Sequence, residues 1–205
     1  MEALLHGMLL AFGLILPLGV QNVFIFNQGA VQSRYKGALP AILTAAICDT
    51  ILILLAVGGV SVIILRFSWI QNLFFTVGCL FLFYMGWTLW RTNVSPGKKE
   101  KATVMSAKRQ VAFAASVSLL NPHAIMDTIG VIGTTSAIYP GFEKGLFAMG
   151  CVAVSWLWFF GLAFAGRKTG QLDTDGILLK KLNRVSAFII WALALYMAYQ
   201  VLTSF

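Results

Sequence analysis

The chain has 205 residues, of which 59% are hydrophobic and only 11% are charged, and its formal net charge is +8. Soluble domains carry about 25% charged residues, and a chain this apolar lacks the polar side chains to cover a surface in water. The composition therefore excludes a soluble enzyme, a disordered chain and a secreted disulfide scaffold. It indicates a polytopic helical membrane protein instead.

Six apolar runs are long enough to cross a bilayer, whose core requires about 20 residues of helix. These runs are residues 3–27, 38–65, 68–90, 111–137, 143–165 and 185–204. No Lys or Arg precedes the first run, which therefore differs from a cleavable signal peptide and is kept as a span. A tight turn around Arg66 separates the second run from the third. The predicted fold class is all-α, a polytopic membrane protein with six transmembrane helices.

Lys and Arg concentrate in the loops after the first, third and fifth runs, which hold 13 of the 15 basic residues. Cytoplasmic loops of membrane proteins carry such an excess. These loops are therefore predicted to face the cytoplasm of a bacterial cell, and both termini to lie outside its cytoplasmic membrane. The positive charge thus reports topology, and it argues against a nucleic acid as partner.

Residues 92–110 form the one long polar linker, and the break Ser95-Pro96-Gly97 lies within it. The linker divides the chain into a first three-helix repeat, residues 1–91, and a second one, residues 111–205. An odd number of spans in each half makes the halves inverted relative to each other, which is a common architecture of secondary transporters.

The two halves share a proline in the middle of their first span. Pro17 and Pro122 lie 105 positions apart, and the same offset relates Asn22 to Asp127. Proline in a helix removes a hydrogen bond, so each site is predicted to be either a helix break or a packing kink. Gly19 is expected to help the first break unwind.

Polar residues surround both prolines. Gln21 and Asn22 follow the first, while Asn121 and His123 flank the second. An Asn-Pro pair favours the start of a helix, and its free N–H groups attract an anion. The carboxylate of an amino acid would suit such a site. His123 is either a proton carrier or a hydrogen-bonded spacer.

Two acids, Asp49 and Asp127, lie near the middle of the second and fourth spans, with no Lys or Arg at comparable depth. An ionised Asp at the bilayer centre costs about 2.5–3.5 kcal/mol. Each acid is therefore expected to bind protons or to face a hydrated cavity that receives a cation, unless both are neutral packing residues. Trp156 in the fifth span either stacks on a planar cation or packs.

The motifs that carry a family resemblance follow one another in chain order. They are Leu16-Pro17-Leu18-Gly19-Val20-Gln21-Asn22-Val23-Phe24, Cys48-Asp49, Leu120-Asn121-Pro122-His123 with Asp127, and Ser155-Trp156-Leu157-Trp158-Phe159-Phe160-Gly161. Over nearly the whole chain, this order and spacing resemble the LysE-type amino-acid exporters, most closely their lysine/arginine branch. The resemblance implies export of basic amino acids through the bacterial inner membrane, driven by the proton motive force or the membrane potential without ATP. It implies that the two aspartates are functional acids.

The leading hypothesis is therefore secondary active export of L-arginine or L-lysine by alternating access, with protons as a candidate coupling ion and no cofactor. Export of a neutral amino acid or of a cation remains an alternative, although the residues provide few ligands for a metal. A thiol–disulfide electron carrier using Cys48 and Cys151 is a further alternative. The pattern contains no enzyme motif, and it leaves a homo-oligomer open.

Overall fold

The computed structural model describes residues 1–16, 19–60, 68–91, 105–119, 125, 127–173 and 177–203, and the regular elements within these ranges are all helical. The α-helices are α1 (Glu2–Ile15), α2 (Val20–Val31), α3 (Leu39–Leu55), α4 (Ser68–Arg91), α5 (Ala107–Leu119), α6 (Thr134–Ser136), α7 (Gly141–Leu172) and α8 (Ile177–Thr203). A 3-10 turn, Tyr35–Ala38, leads into α3. The first π-helical segment, Ala56–Val60, follows α3, and the second, Asp127–Gly133, precedes α6. The predicted all-α class is confirmed for this part of the chain.

Two continuous helical runs are long and apolar enough to cross a bilayer unaided. They are Tyr35–Gly59, with 25 residues, and Gly141–Leu172, with 32 residues. Helices α1 and α2 supply a third crossing if they form one broken span. Shorter apolar stretches lie in α4 (Thr76–Thr88) and in α8 (Asn183–Tyr196). The described residues thus contain at least two candidate spans, and the count of six stays a prediction.

The first predicted run, 3–27, is not one straight helix. It consists of α1 and the greater part of α2, which are inclined to each other by 82°. Gly19 directly precedes α2 in an extended conformation, with φ −77° and ψ 174°. Any residue adopts that conformation, so the backbone angles at Gly19 do not by themselves require glycine.

Three helices extend beyond the predicted span ends into stretches that were predicted as loops. Helix α5 begins at Ala107, inside the predicted linker, α7 continues to Leu172, and α8 begins at Ile177. Basic residues mark where a segment leaves the bilayer, but Lys and Arg are good helix formers and do not end a helix. The predicted turn at Arg66 and linker residues 92–104 lie outside the described residues.

Helix α7 is the central packing partner of the bundle, since it contacts α1, α2 and α3. Glycines permit its closest approaches: a Cβ on Gly29 of α2 would overlap the carbonyl oxygen of Ala163, and one on Gly7 of α1 would overlap that of Phe147. Small residues at such crossings are typical of membrane helices, whose backbones pack closely. Helices α1 and α2, which form the bent pair, therefore both pack closely against α7.

The other main contacts pair α5 with α3 and α4 with α8. The outer surface is apolar: Leu80 on α4 is 68% exposed, and Leu157 on α7 is 69% exposed. Because lipid tails are as apolar as leucine, these side chains suit a bilayer and would be unfavourable in water.

Candidate functional site

The predicted acid Asp49 lies within α3, where α3 packs against α7. The hydroxyl of Ser155 on α7 donates a hydrogen bond of 2.7 Å to Oδ2 of Asp49. Within the described residues no Lys, Arg or His forms an ion pair with this carboxylate. One hydroxyl hydrogen bond leaves much of the accepting capacity of a carboxylate unused, because its two oxygens offer about four lone-pair sites. Asp49 is thus an acceptor with room for a further donor.

Gln21 lies in the first turn of α2, and its side chain lies near the same carboxylate without forming a hydrogen bond to it. Its side chain is only 8% exposed, and its Nε2 has no hydrogen-bond partner among the described residues. A buried amide N–H without a partner is costly, so such groups call for an explanation. The structure therefore brings together two of the predicted site residues, an acid and an amide, from different helices.

Trp156, the next residue of α7, is held by hydrogen bonding and by ring stacking. Its Nε1 donates to Oγ1 of Thr50 over 3.0 Å, and its ring stacks on Phe160 with the centroids 6.4 Å apart. The hydroxyl of Thr50 in turn donates to the carbonyl oxygen of Ala46 over 2.7 Å. Ser155 and Trp156 thus contact the adjacent residues Asp49 and Thr50.

Asn22 has both ends of its side chain engaged at the α1–α2 break. Its Nδ2 donates to the carbonyl oxygen of Ile15 over 2.8 Å, and its Oδ1 accepts from Nε1 of Trp158 over 3.2 Å. Ile15 is the last residue of α1, so its carbonyl lies at an end where the helix provides no regular partner. In this structure Asn22 therefore satisfies the broken backbone instead of facing an open site.

The second predicted acid, Asp127, begins the second π-helical segment, which packs against the first, Ala56–Val60. Asp49 precedes Ala56 on the same helical run by about two turns, or roughly 10 Å. Asp127 is half-buried and engages another group. π-Helical turns are rare and are frequent at functional sites, so two of them in contact mark this region as a second part of the candidate site.

The three cysteines are buried and free, and they lie in different helix contacts. Cys151 donates to the carbonyl oxygen of Gly7, and Cys79 to that of Ala194, both over 3.3 Å. Cys48 faces Ser118 of α5. Cys79 and Cys151 thus each have a hydrogen-bond partner in another helix, and nothing in this arrangement supports an electron carrier that pairs Cys48 with Cys151.

Four predicted site residues, Pro17, Asn121, Pro122 and His123, lie outside the described residues. The described part contains no group of three or more His, Cys, Asp or Glu side chains that could hold a metal. The sequence interpretation missed Ser155 and Trp158 as hydrogen-bond donors. Their spacing of three residues, which places them on one face of a helix, was the only signal of that role.

The sequence matches the family model of the LysE type translocators over residues 12–201. Among curated proteins, it is 55% identical to the putative amino-acid transporter YisU of Bacillus subtilis, over 96% of this chain and 89% of that protein. It is 32% identical to the arginine exporter protein ArgO of Escherichia coli, over 94% of this chain and 92% of that protein. ArgO of Serratia proteamaculans is 31% identical, and the match covers 96% of each chain. No solved structure matches the chain.

Proposed function

Because the chain belongs to the LysE family of translocators, we propose that it exports basic L-amino acids, arginine or lysine, through the cytoplasmic membrane. It is a multi-pass membrane transporter and not an enzyme. The relatives named as arginine exporters favour arginine, although identities near 31% leave lysine open. The resemblance identified from the sequence motifs is thereby confirmed at the level of the family.

The observation that carries the proposal is the position of Asp49. Its carboxylate lies within a helix that can span a membrane, it accepts a hydrogen bond from Ser155, and no basic side chain of the described part neutralises it. A buried carboxylate without a fixed counter-charge is costly, so it favours a partner that comes and goes. A proton and a cationic group of the substrate are the two partners that meet this requirement.

Charge balance favours antiport with protons. Moving one positive charge out of a cell against a potential of 100 mV costs about 2.3 kcal/mol. One proton moving inward for each arginine or lysine moving outward cancels that charge. If Asp49 holds either the proton or the substrate cation, but not both, the two are exchanged at one site. Asp127 offers a second carboxylate for the other cationic group.

We propose six spans in two inverted repeats, residues 1–91 and 111–205, with both termini outside, and the packing pattern supports the internal repeat. The bent pair α1–α2 of the first half packs on α7, the middle helix of the second half. In return, α5 and the second π-helical segment of the second half pack on α3. Exchanging the halves maps each of these contacts onto the other, which is what a two-fold pseudo-symmetry axis requires.

Counterflow of labelled arginine tests the proposal. The purified protein is reconstituted into liposomes loaded with unlabelled arginine, and lysine, threonine and cadmium are offered as competitors. We expect arginine and lysine to compete and the other two not to. Strong competition by threonine or by cadmium would extend the substrate range to a neutral amino acid or to a cation, whereas absence of arginine counterflow would refute export of basic amino acids.

Replacement of the acids tests the mechanism in the same assay. Asp49→Asn and Asp127→Asn keep the side-chain size and remove the charge, so protein levels should be preserved while arginine counterflow collapses in each variant. Asp173→Asn, which makes the same change at the end of α7, is the matched control and should transport normally. Normal counterflow by both site variants would contradict a cation site, whereas loss in only one would assign the essential role to that acid.

A further inference from the structure

The first turn of α2 carries a polar group that the proposed function leaves unused. Gln21 is buried, and its Nε2 has no hydrogen-bond partner among the described residues. It lies at the start of a helix of 12 residues that begins in the interior of the bundle. A buried amide N–H of this kind calls for a hydrogen-bond acceptor.

The end of α2 at which Gln21 lies favours an anion. The first N–H groups of a helix have no partner within it and carry the positive end of the helix dipole. Gly19, which precedes α2, provides no side-chain cap. Among the described residues, no atom lies within 4 Å of the place where a Cβ on Gly19 would sit. Within the described part of the chain, the helix end is thus uncapped and has space beside it.

Asn22, the other amide in this turn, is engaged elsewhere. It spans from Trp158 to the carbonyl oxygen of Ile15. The sequence places both Asn22 and Gln21 at the first break, and it predicts that Asn22 positions the substrate carboxylate. The geometry separates them, because one supports the helix break while the other presents an unpaired N–H.

Gln21 also faces Asp49. An α-amino acid carries its ammonium and its carboxylate on the same carbon, so a site for both needs an acceptor and a donor side by side. We propose that Gln21 and the N-terminus of α2 bind the α-carboxylate of the substrate, while Asp49 binds its α-ammonium. This assignment rests on the proposed export of a basic amino acid. It makes Gln21 the residue that distinguishes an amino acid from the amine left by its decarboxylation.

The test compares arginine with agmatine, which is arginine without the carboxylate, as competitors of labelled arginine in counterflow. Gln21→Met keeps the length of the side chain and removes the donor. The preference for arginine over agmatine should fall roughly ten- to a hundredfold, the effect of losing a hydrogen bond to a charged group. Each variant's ratio of inhibition by arginine to inhibition by agmatine is compared with the wild-type ratio. The expression level cancels within each ratio, and the different charges of the two ligands cancel between the ratios.

Gln28→Met is the matched control. Gln28 lies on the same helix with the same 8% exposure, and its Nε2 points to Sδ of Met105 at 3.6 Å, away from Asp49. This variant should keep the wild-type preference. An unchanged preference in Gln21→Met would overturn the assignment, even if its overall rate fell, because a purely structural role slows both ligands alike.

Gln21→Asn decides the matter if the methionine variant does not insert into the membrane. Asparagine retains the amide but withdraws it by one methylene, so the preference should fall in the same direction by a smaller factor. A preference equal to that of the wild type would again overturn the assignment. Absence of arginine counterflow in the wild-type protein itself is a different result: it would refute the proposed function, and this inference with it.

Discussion

The hydrogen bond between Asp49 and Ser155 is the central contact of the candidate site. The carboxylate comes from α3 and the hydroxyl from α7, and they meet at 2.7 Å. A hydrogen bond to a charged group contributes about 1.5–3 kcal/mol. Such a bond fixes the carboxylate in one orientation, as the proposed binding of an ammonium group would require. We therefore expect Ser155 to be a positioning residue that acts through Asp49.

Ser155→Ala should reduce arginine counterflow at normal protein level, and Ser155→Thr, which keeps the hydroxyl, should restore much of it. A double-mutant cycle gives the more specific readout. If Ser155 acts only through Asp49, the combination of Ser155→Ala with Asp49→Asn should transport no worse than Asp49→Asn alone. Ser186→Ala removes a buried hydroxyl on α8 and serves as the control. Wild-type counterflow by Ser155→Ala would refute the positioning role.

At the scale of elements, the break between α1 and α2 is held by one chain of hydrogen bonds. It runs from the indole of Trp158 through the amide of Asn22 to the carbonyl oxygen of Ile15. In lipid the freed carbonyl of a broken helix must find a partner within the protein. Asn22 provides that partner, and Trp158 ties the break to α7.

Replacing Asn22 by leucine, which is similar in size, should destabilise the protein, because it leaves the Ile15 carbonyl without its donor and the indole without its acceptor. Each buried polar group left unpaired costs about 1–3 kcal/mol. Trp158→Phe removes the N–H and part of the ring but leaves the bond from Asn22 to the Ile15 carbonyl, so it should cost less. Thermal unfolding of purified protein in detergent measures both, with Trp87→Phe on the exposed face of α4 as control. A melting temperature of Asn22→Leu equal to that of the wild type would contradict the supporting role.

The break could be predicted from the sequence, but the hydrogen bonds that hold it could not. A proline inside an apolar run signals a broken helix by its chemistry alone, and the 82° angle between α1 and α2 agrees with that prediction. The partners Trp158 and Ser155 lie more than a hundred positions from the residues they bind. In a membrane helix the face toward lipid and the face toward the bundle are both apolar, so periodicity does not identify which side chains point inward.

The predicted positions of the helix ends were wrong for a related reason. Hydropathy finds the residues that cross the hydrocarbon, whereas α7 continues past its apolar part to Leu172. There Nη1 of Arg167 donates to the carbonyl oxygen of Ser33 over 3.2 Å, just beyond the C-terminus of α2. A basic side chain at a helix C-terminus is favourable. The residue that predicted a cytoplasmic loop thus lies in a helix and contacts the end of a neighbouring one.

At the scale of the whole molecule, the packing relates the two halves by exchange. The first predicted span of each half packs on the second predicted span of the other half. Helices α1 and α2 pack on α7, and α5 with the second π-helical segment packs on α3. Ser155, Trp156 and Trp158 all donate from the second half to the first. If the halves rock against each other during transport, these three bonds belong to one of the two states. If each half has three spans, as the sequence predicts, the two repeats have opposite orientations in the membrane.

Helix α7 offers the most direct test of that orientation. Glu143 and Lys168 lie on exposed positions near its opposite ends, roughly 37 Å apart along the helix. The basic loops predict that the end with Lys168 lies in the cytoplasm, so a cysteine at Glu143 should react with a membrane-impermeant thiol reagent added to intact cells, and one at Lys168 should not. Both should react once the cells are permeabilised. The opposite pattern would invert the orientation of this helix.

Labelling in both halves then tests the inverted repeats as a whole. The excess of Lys and Arg after the first, third and fifth spans predicts that both termini lie outside and that the linker lies in the cytoplasm. A cysteine at Phe205 should therefore react from outside, whereas one at Lys99 should be protected until permeabilisation.

The three native cysteines are replaced by serine beforehand, which retains a hydroxyl to donate to the carbonyl oxygens that the thiols of Cys79 and Cys151 now contact. Reaction at Lys99 with protection at Phe205 would reverse the whole topology. Reaction at both from outside would instead leave an even number of crossings between residues 99 and 205, which two inverted three-helix repeats do not allow.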